Sequence, residues 1–583
     1  MIPRRPLGAF LVFGAALALS ACIRPPEDTA ATRVPPEWRY AQPPRAFVAD
    51  SAAVVSDAPL ATAVGVQVLR AGGNAVDAAI ATAFALAVVY PEAGNIGGGG
   101  FMVARFADGR SVALDFRETA PLAATATMYL DSSGTPTRES EIGHRAVGVP
   151  GSVAGQYEAH LRYGRLSWRE ILAPSIRLAS DGFVIDDRVA RVLRADSAGF
   201  ARFSGTSALF LPGGRPLAAG TLFKNPDLAK TLTAIAERGP AGFYEGPVAD
   251  LIVAEMRSGG GLITHADLEG YRPAWREPIE FAYRGYRVVS MPPPSSGGVA
   301  LALIFGILEG YPVAGMGWHS PRMLHLTAEA MRRAFADRNA LLGDPDFVSI
   351  PRATLTSMRY AASLRASIDP ERATPSDAVI GGALCAPEPS QTTHLGVVDA
   401  AGNAVALTTT LNGLHGCGVV VSGAGFFLNN EMDDFAAKPG SPNTYGLVQG
   451  ERNAIAPGKR MLSSMTPTIV ARPDSGVVLV TGARGGPHII TSVVHVLINA
   501  LDYDMDAARA VSAPRIHHQH QPDQITYERG GFEESLLEAL SEKGHELKAT
   551  GGTGSAPSIV RRDGRWEAVA DPRTAPEGGA GGY

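Results

Sequence analysis

A threonine hydroxyl is a poor nucleophile near neutral pH and needs a base beside it. A threonine that begins a chain carries such a base as its own α-amine, acting directly or through water, and this chemistry requires a backbone cut in front of it. The sequence runs Thr392-Thr393-His394-Leu395-Gly396-Val397-Val398-Asp399 into the turn Ala400-Ala401-Gly402-Asn403, then from Ala404 to Thr408-Thr409-Thr410. Two β-rich stretches around a tight turn signal a hairpin. Pairing Asp399 with Ala404 sets Thr393 opposite Thr410 and Thr392 diagonally beside it, to within a residue of register. Taken alone, a Thr-Thr pair at a strand start is far more often a β-former than a catalyst. Gly485-Gly486 opens an apolar helix from about Ile489 to Leu501, whose free first-turn amides could hold an anion; the plainer reading is a loop before a helix. Arg117 alone reads as a surface or structural salt-bridge arginine, Glu431 and Asp434 as solvated loop charges, and Ser463 and Ser464 as turn or cap residues. His517-His518-Gln519-His520 lacks a zinc-site spacing and has no cysteine nearby, so it is not read as a metal site.

The elements around these residues are partly legible. Leu60 to Ala71 and Ala75 to Val89 read as two helices broken at Gly72-Gly73, the second apolar nearly all round and therefore internal. Phe101 to Phe106 and Ser111 to Phe116 flank Ala107-Asp108-Gly109-Arg110 as a hairpin that ends at Arg117. Gly97-Gly98-Gly99-Gly100 could cradle an anion, but it lacks the Lys-Ser/Thr that a phosphate loop requires, and close backbone packing is the better reading. Pro467 to Arg472 and Val477 to Gly482 form another hairpin around Pro473-Asp474-Ser475-Gly476. The middle, from about Gly148 to Pro370, mixes helix-like stretches and loops without a repeat.

The 583 residues exceed one ordinary core, and 45% hydrophobic with 19% charged residues is globular composition. A net charge of -5 gives no electrostatic reason to expect a nucleic-acid partner. Arg4 and Arg5 precede the apolar run Leu7 to Ala21, too short to span a bilayer comfortably, which reads as a signal peptide. The run ends Leu19-Ser20-Ala21-Cys22, which resembles a bacterial lipoprotein box; Cys22 would be lipidated and anchor the chain by acyl groups, with ordinary cleavage nearby as the alternative. Pro25, Pro26, Pro35, Pro36, Pro43 and Pro44 suit a stiff tether. Cys385 and Cys417 read as unpaired structural thiols.

The Thr392 and Thr408 stretches closely resemble the catalytic segment of γ-glutamyltranspeptidases. Asn95-Ile96-Gly97-Gly98-Gly99-Gly100, Asp115-Phe116-Arg117-Glu118, Asn429-Asn430-Glu431-Met432-Asp433-Asp434-Phe435, Leu462-Ser463-Ser464-Met465, Thr481-Gly482 and Gly485-Gly486 match other blocks of that family in order, from about Val48 to Tyr583. The resemblance implies an α+β, four-layer αββα N-terminal-nucleophile hydrolase fold, with two stacked antiparallel sheets between helical layers. It implies a cut between Gln391 and Thr392, which together with the signal peptide and tether read above divides the chain into 1–21 as signal peptide, 22–45 as lipidated tether, 46–391 as large subunit and 392–583 as small catalytic subunit. Thr392 would be the nucleophile, Thr410 the hydroxyl that orients it, and Gly485 and Gly486 the oxyanion hole. Arg117 with Ser463 and Ser464 would grip the substrate α-carboxylate, while Glu431, Asp434 and the Asn412 carbonyl would hold the α-ammonium. Pro439 to Gly446, with Tyr445, resembles a lid over the bound glutamyl group. The implied reaction is ping-pong transfer from glutathione or another γ-glutamyl compound to water, an amino acid or a peptide, without a cofactor. The implied location is periplasmic, and Ile23 after Cys22 resembles outer-membrane sorting. Gly396 and His415 depart from the family pattern, where Ser or Thr and an aromatic residue are usual. The rivals are a β-lactam side-chain acylase, a poly-γ-glutamate depolymerase and a lipid-anchored binding protein without catalysis.

Overall fold

Proline at a helix start and an Asn74 capping box with Asp77 begin the paired helices Pro59–Arg70 and Ala75–Val89, the second buried along its whole length. A computed structural model describes residues 33–379, 392–441, 443, 447–474, 476–574 and 578–583. Cys22, Cys385, Gln391 and Tyr445 lie outside the described residues.

Two seven-stranded sheets stack on one another. One runs, in spatial order, Gly579–Gly582, Ala53–Ser56, Thr392–Val398, Ala404–Thr410, Gly99–Arg105, Ser111–Phe116 and Ala274–Arg276. The other runs Phe47–Ala49, Arg565–Val569, Ser558–Arg562, Gly476–Thr481, Thr468–Arg472, Tyr286–Ser290 and Ile279–Tyr283. Every pairing within them is antiparallel. Alternation along each strand assigns its two faces. In the first sheet Met102, Ala104, Val405 and Leu407 pack under the helices Pro59–Arg70 and Ala75–Val89. Phe101, Val103, Ala404 and Ala406 face the second sheet, whose far side is covered by Gly297–Leu308, Pro321–Leu341 and His488–Leu501. This is the expected αββα layering.

The hairpin register differs by one residue from the sequence expectation. Thr392 lies directly opposite Thr410 and Thr393 opposite Thr409, because Val398 rather than Asp399 pairs with Ala404. The reason is local: the Asp399 carboxylate accepts from the amides of Ala401 (3.0 Å) and Asn403 (2.9 Å), which makes it part of the turn. The same carboxylate accepts from Ala75 N at 3.0 Å, joining the turn to the start of the buried helix. The other hairpin strands and the helix after Gly486 fall within two residues of their expected bounds.

The part of the Pro-rich segment that the structure describes is docked rather than free. Trp38 is buried, and its indole N–H donates to Ser512 O at 2.9 Å. Cys417 is buried, which pushes its thiol up to about 12. Among the histidines of 517–520, His517 contacts Thr491 and Gln519, His520 contacts Ser376 O, and His518 Nε2 lies 3.4 Å from the Asp523 carboxylate.

Candidate active site

Strand pairing alone brings the two threonine hydroxyls together. Thr392 Oγ1 donates to Thr410 Oγ1 at 3.4 Å, and Thr410 Oγ1 also accepts from Asn412 N at 2.8 Å. Asn412 adopts a φ of 74°, a left-handed turn that asparagine tolerates, and this folds the chain back over the strand end. The glycine run sits against this hairpin: a Cβ on Gly98 would meet Thr410 O at 2.1 Å, and one on Gly100 would meet Thr408 O at 2.3 Å. Those glycines serve close packing, as expected. Beneath the strand Thr392–Val398, the buried Asp57 accepts from Thr393 Oγ1 at 2.9 Å, a contact that no sequence signal revealed.

A narrow cleft opens at this end of the sheet, lined by Thr392, Thr410, Asn412, Arg117, Glu431, Asp434, Ser463, Ser464 and Gly486. Nearly all the expected site residues therefore converge, although they come from separate segments of the chain. Gly485, one residue back at φ 123°, packs against Gly554. Gly486, at φ 56°, leads into the helix His488–Leu501. Leu447, just after the expected lid segment Pro439 to Gly446, lines the cleft, and within that segment Gly440 N donates to Gln449 O at 3.0 Å.

The ionic wall is more crowded than its sequence suggested. Arg117, 1% exposed, ion-pairs with Glu431 at 2.5 Å and with Asp434, and lies 3.5 Å from Glu118. Burial works against its charge, but these carboxylates more than offset that and hold its pKa above the usual value. Burial raises the Glu118 carboxyl to about 8. Glu431 lies well above the usual carboxylate range through burial, which outweighs Arg117, and through the neighbouring Glu118 and Asp434. Asp434 is raised mainly by burial. The sequence assigned opposite charges to opposite ends of a substrate; in the structure those charges pair with one another. Ser463 Oγ accepts from Met465 N at 3.1 Å, and Ser463 O accepts from Ser296 Oγ at 2.7 Å.

Arg338 is a cleft residue that the sequence reading missed. It comes from the helix Pro321–Leu341, where its charge resembles those of Arg332 and Arg333 and no motif marks it. The two departures from the family pattern are accommodated. Gly396 faces the second sheet, where a Cβ would come within 3.2 Å of Val480 Cγ1 and 3.3 Å of Val55 Cγ1. His415 lies between the rings of Phe200 and Phe427 and hydrogen-bonds Asp196 at 2.7 Å, so its ring occupies an aromatic seat.

Comparison with known proteins agrees with this architecture. The γ-glutamyltranspeptidase family profile matches residues 61–581. A glutathione hydrolase proenzyme of Pseudomonas sp. (strain A14) is 48% identical over 85% of this chain and 87% of its own length. That of Escherichia coli (strain K12) is 46% identical over 89% of this chain and 90% of its own length. The crystal structure of cephalosporin acylase from Bacillus halodurans superposes with a TM-score of 0.81 at 29% identity, covering 94% of this chain and 99% of that one. With the threonine pair, the glycine-lined cleft and the arginine–carboxylate cluster in the order and places that the family blocks require, the chain belongs to the γ-glutamyltranspeptidase family.

Proposed function

We propose that the protein is a γ-glutamyltransferase and glutathione hydrolase, made as a proenzyme that cuts itself before Thr392. The observation that carries this is the placement of Thr392, hydrogen-bonded to Thr410, in one cleft with Arg117, Glu431, Asp434 and the Ser463-Ser464 pair. In maturation the Thr392 hydroxyl attacks the Gln391 carbonyl. The amide becomes an ester, water opens it, and the α-amine is freed to act as base. The same hydroxyl then attacks the γ-amide of the donor. The amine half leaves with a proton, a γ-glutamyl ester remains on Thr392, and water, an amino acid or a peptide takes the glutamyl group.

The remaining residues divide the work by charge. Amides of Gly485 and Gly486 at the helix start stabilise the oxyanion, each such donor being worth roughly 3 to 4 kcal/mol in other enzymes. The donor's carboxylate takes Arg117 and the serine hydroxyls, while its ammonium takes Glu431, Asp434 and the Asn412 carbonyl, so a zwitterion replaces pairs that the protein makes with itself. Tyr445 covers the bound group. Gene product export by residues 1–21 and lipidation at Cys22 complete the reading, with the enzyme held at a periplasmic membrane surface, the outer membrane favoured by Ile23. Among the described residues no helix is long and apolar enough to cross a membrane. A second reading, side-chain acylase, rests on the likeness to the Bacillus halodurans acylase. The arginine–carboxylate cluster suits a zwitterionic donor better than a glutaryl group, which has no ammonium.

The decisive experiment combines a denaturing gel with two donors. The purified protein should run as two fragments, the smaller beginning Thr-Thr-His, and should release p-nitroaniline from the γ-glutamyl anilide far faster than from the glutaryl anilide. A single uncut band with no turnover refutes the enzyme reading, and a preference for glutaryl selects the acylase.

A further inference from the structure

Arg338 stands in the cleft wall with its side chain buried, yet it makes no ion pair with a carboxylate among the described residues. Its three hydrogen bonds all go to neutral oxygens: Nε to Ser296 Oγ at 3.1 Å, Nη1 to Asn339 Oδ1 at 2.9 Å and Nη2 to Ser464 Oγ at 3.2 Å. A guanidinium carries five N–H donors. Burial pulls its pKa down to about 10, partly countered by the field of Asp434, so it keeps its charge at neutral pH. Arg117 is the opposite case, a cation with three carboxylates close to it. A buried cation without a counter-ion is costly, and an anion brought into its cleft relieves that cost.

The serine geometry says where the anion sits. Ser464 Oγ accepts from Arg338 and Ser463 Oγ accepts from Met465 N. A hydroxyl that is already accepting has its one hydrogen left to donate, so both serines are set to donate to a ligand oxygen. We infer that Arg338, acting through Ser464, adds to Arg117 a second positive charge by which the site selects donors that carry an α-carboxylate. It is a positioning and specificity residue: it orients the Ser464 hydroxyl and makes that hydrogen a stronger donor. The inference rests on the γ-glutamyl reading above and assigns part of its selectivity to a residue outside the family blocks.

The test compares γ-glutamyl-p-nitroanilide with 4-aminobutyryl-p-nitroanilide, which has the same amide and ammonium but no α-carboxylate. Arg338→Gln should raise KM for the glutamyl donor by roughly tenfold or more with a smaller change in kcat, leave turnover of the aminobutyryl donor near wild type, and so collapse the ratio of kcat/KM between them. Arg338→Lys should keep most of the ratio. An unchanged ratio in Arg338→Gln, an equal loss on both donors, or a lysine variant no better than glutamine overturns the inference. If Arg338→Gln fails to mature into two fragments, Ser464→Ala carries the test. Its ratio should fall likewise, and an unchanged ratio there overturns the inference. Absence of wild-type turnover on the glutamyl donor would instead sink the γ-glutamyl reading itself.

Discussion

Along one side of the cleft, Thr392, Thr410 and Gly486 present hydroxyls and main-chain amides held by one hairpin and one helix start. Along the other, Arg117, Glu431, Asp434 and Arg338, with Glu118 beside Arg117, bring ionisable groups from distant segments into nearly complete burial. The first side is fixed by backbone hydrogen bonds, and its groups are neutral, so its geometry costs little to maintain. On the second side Arg117, Glu431 and Asp434 are fixed by mutual compensation: each is tolerable there because of the others, and a bond that they make to a ligand must first displace one made internally, whereas Arg338 rests on neutral oxygens. In the proposed function, chemistry resides in the part that local structure builds, while substrate selection resides in the part that only long-range packing assembles.

Substitutions can break this comparison, beginning with the largest effect. Thr392→Ala should abolish both maturation and turnover, a loss on the order of 10⁴-fold or more, while leaving the fold intact, as circular dichroism and a single full-length band would report. Residual cleavage at the same bond would move the nucleophile elsewhere. Arg117→Ala should act on the opposite side: it strands Glu431 and Asp434 without their cation, costing about 3 to 5 kcal/mol of stability in urea unfolding and raising donor KM. A variant with wild-type stability and donor affinity would show that the ionic wall is not mutually compensated.

The contrast sharpens with pH. Burial raises Glu118 from 4.5 to about 8, and Glu431 and Asp434 are raised as well, so the folded chain keeps protons that the unfolded chain has already released. The unfolded state thus binds fewer protons over that interval. The stability contributed by Glu118 is full below about pH 4.5 and is lost as pH rises towards about 8. Thermal unfolding between pH 5 and 8.5 should therefore show a falling midpoint, flattened in Glu118→Gln and unaltered by Thr410→Val. A slope that persists in Glu118→Gln would place the titration elsewhere. The smallest effect belongs to Gly396→Ser, which adds a side chain between the sheets against Val480 and Val55. It should cost about 1 kcal/mol and leave donor kinetics unchanged. A large kinetic effect would tie inter-sheet packing to the nucleophile.

How much of this was legible follows the same division. The hairpins, the buried helix Ala75–Val89 and the helix after Gly486 could be read because each obeys a short period with glycine or capping punctuation. The register slipped by one because Asp399 has a side chain able to satisfy turn amides, and a sequence does not say whether such a residue ends a strand or begins a turn. Family blocks located Arg117, Glu431, Asp434 and the serines, but not that these charges would pair together. Arg338 and Asp57 went unseen because nothing local distinguishes a buried functional charge from an ordinary one.

By itself, then, the amino-acid order determined the threonine hairpin and the glycine-led helix start, since hydrophobic periodicity and turn chemistry act over a few residues, while the layered α+β architecture followed only from the family resemblance. Only the tertiary structure decided that Thr392 faces Thr410 directly, that Arg117 is enclosed by carboxylates, and that Arg338 reaches the cleft through Ser464. Burial sets the strength of a charge, and burial is a property of the packed chain: desolvation depends on every segment that surrounds a group, however far away in sequence those segments lie.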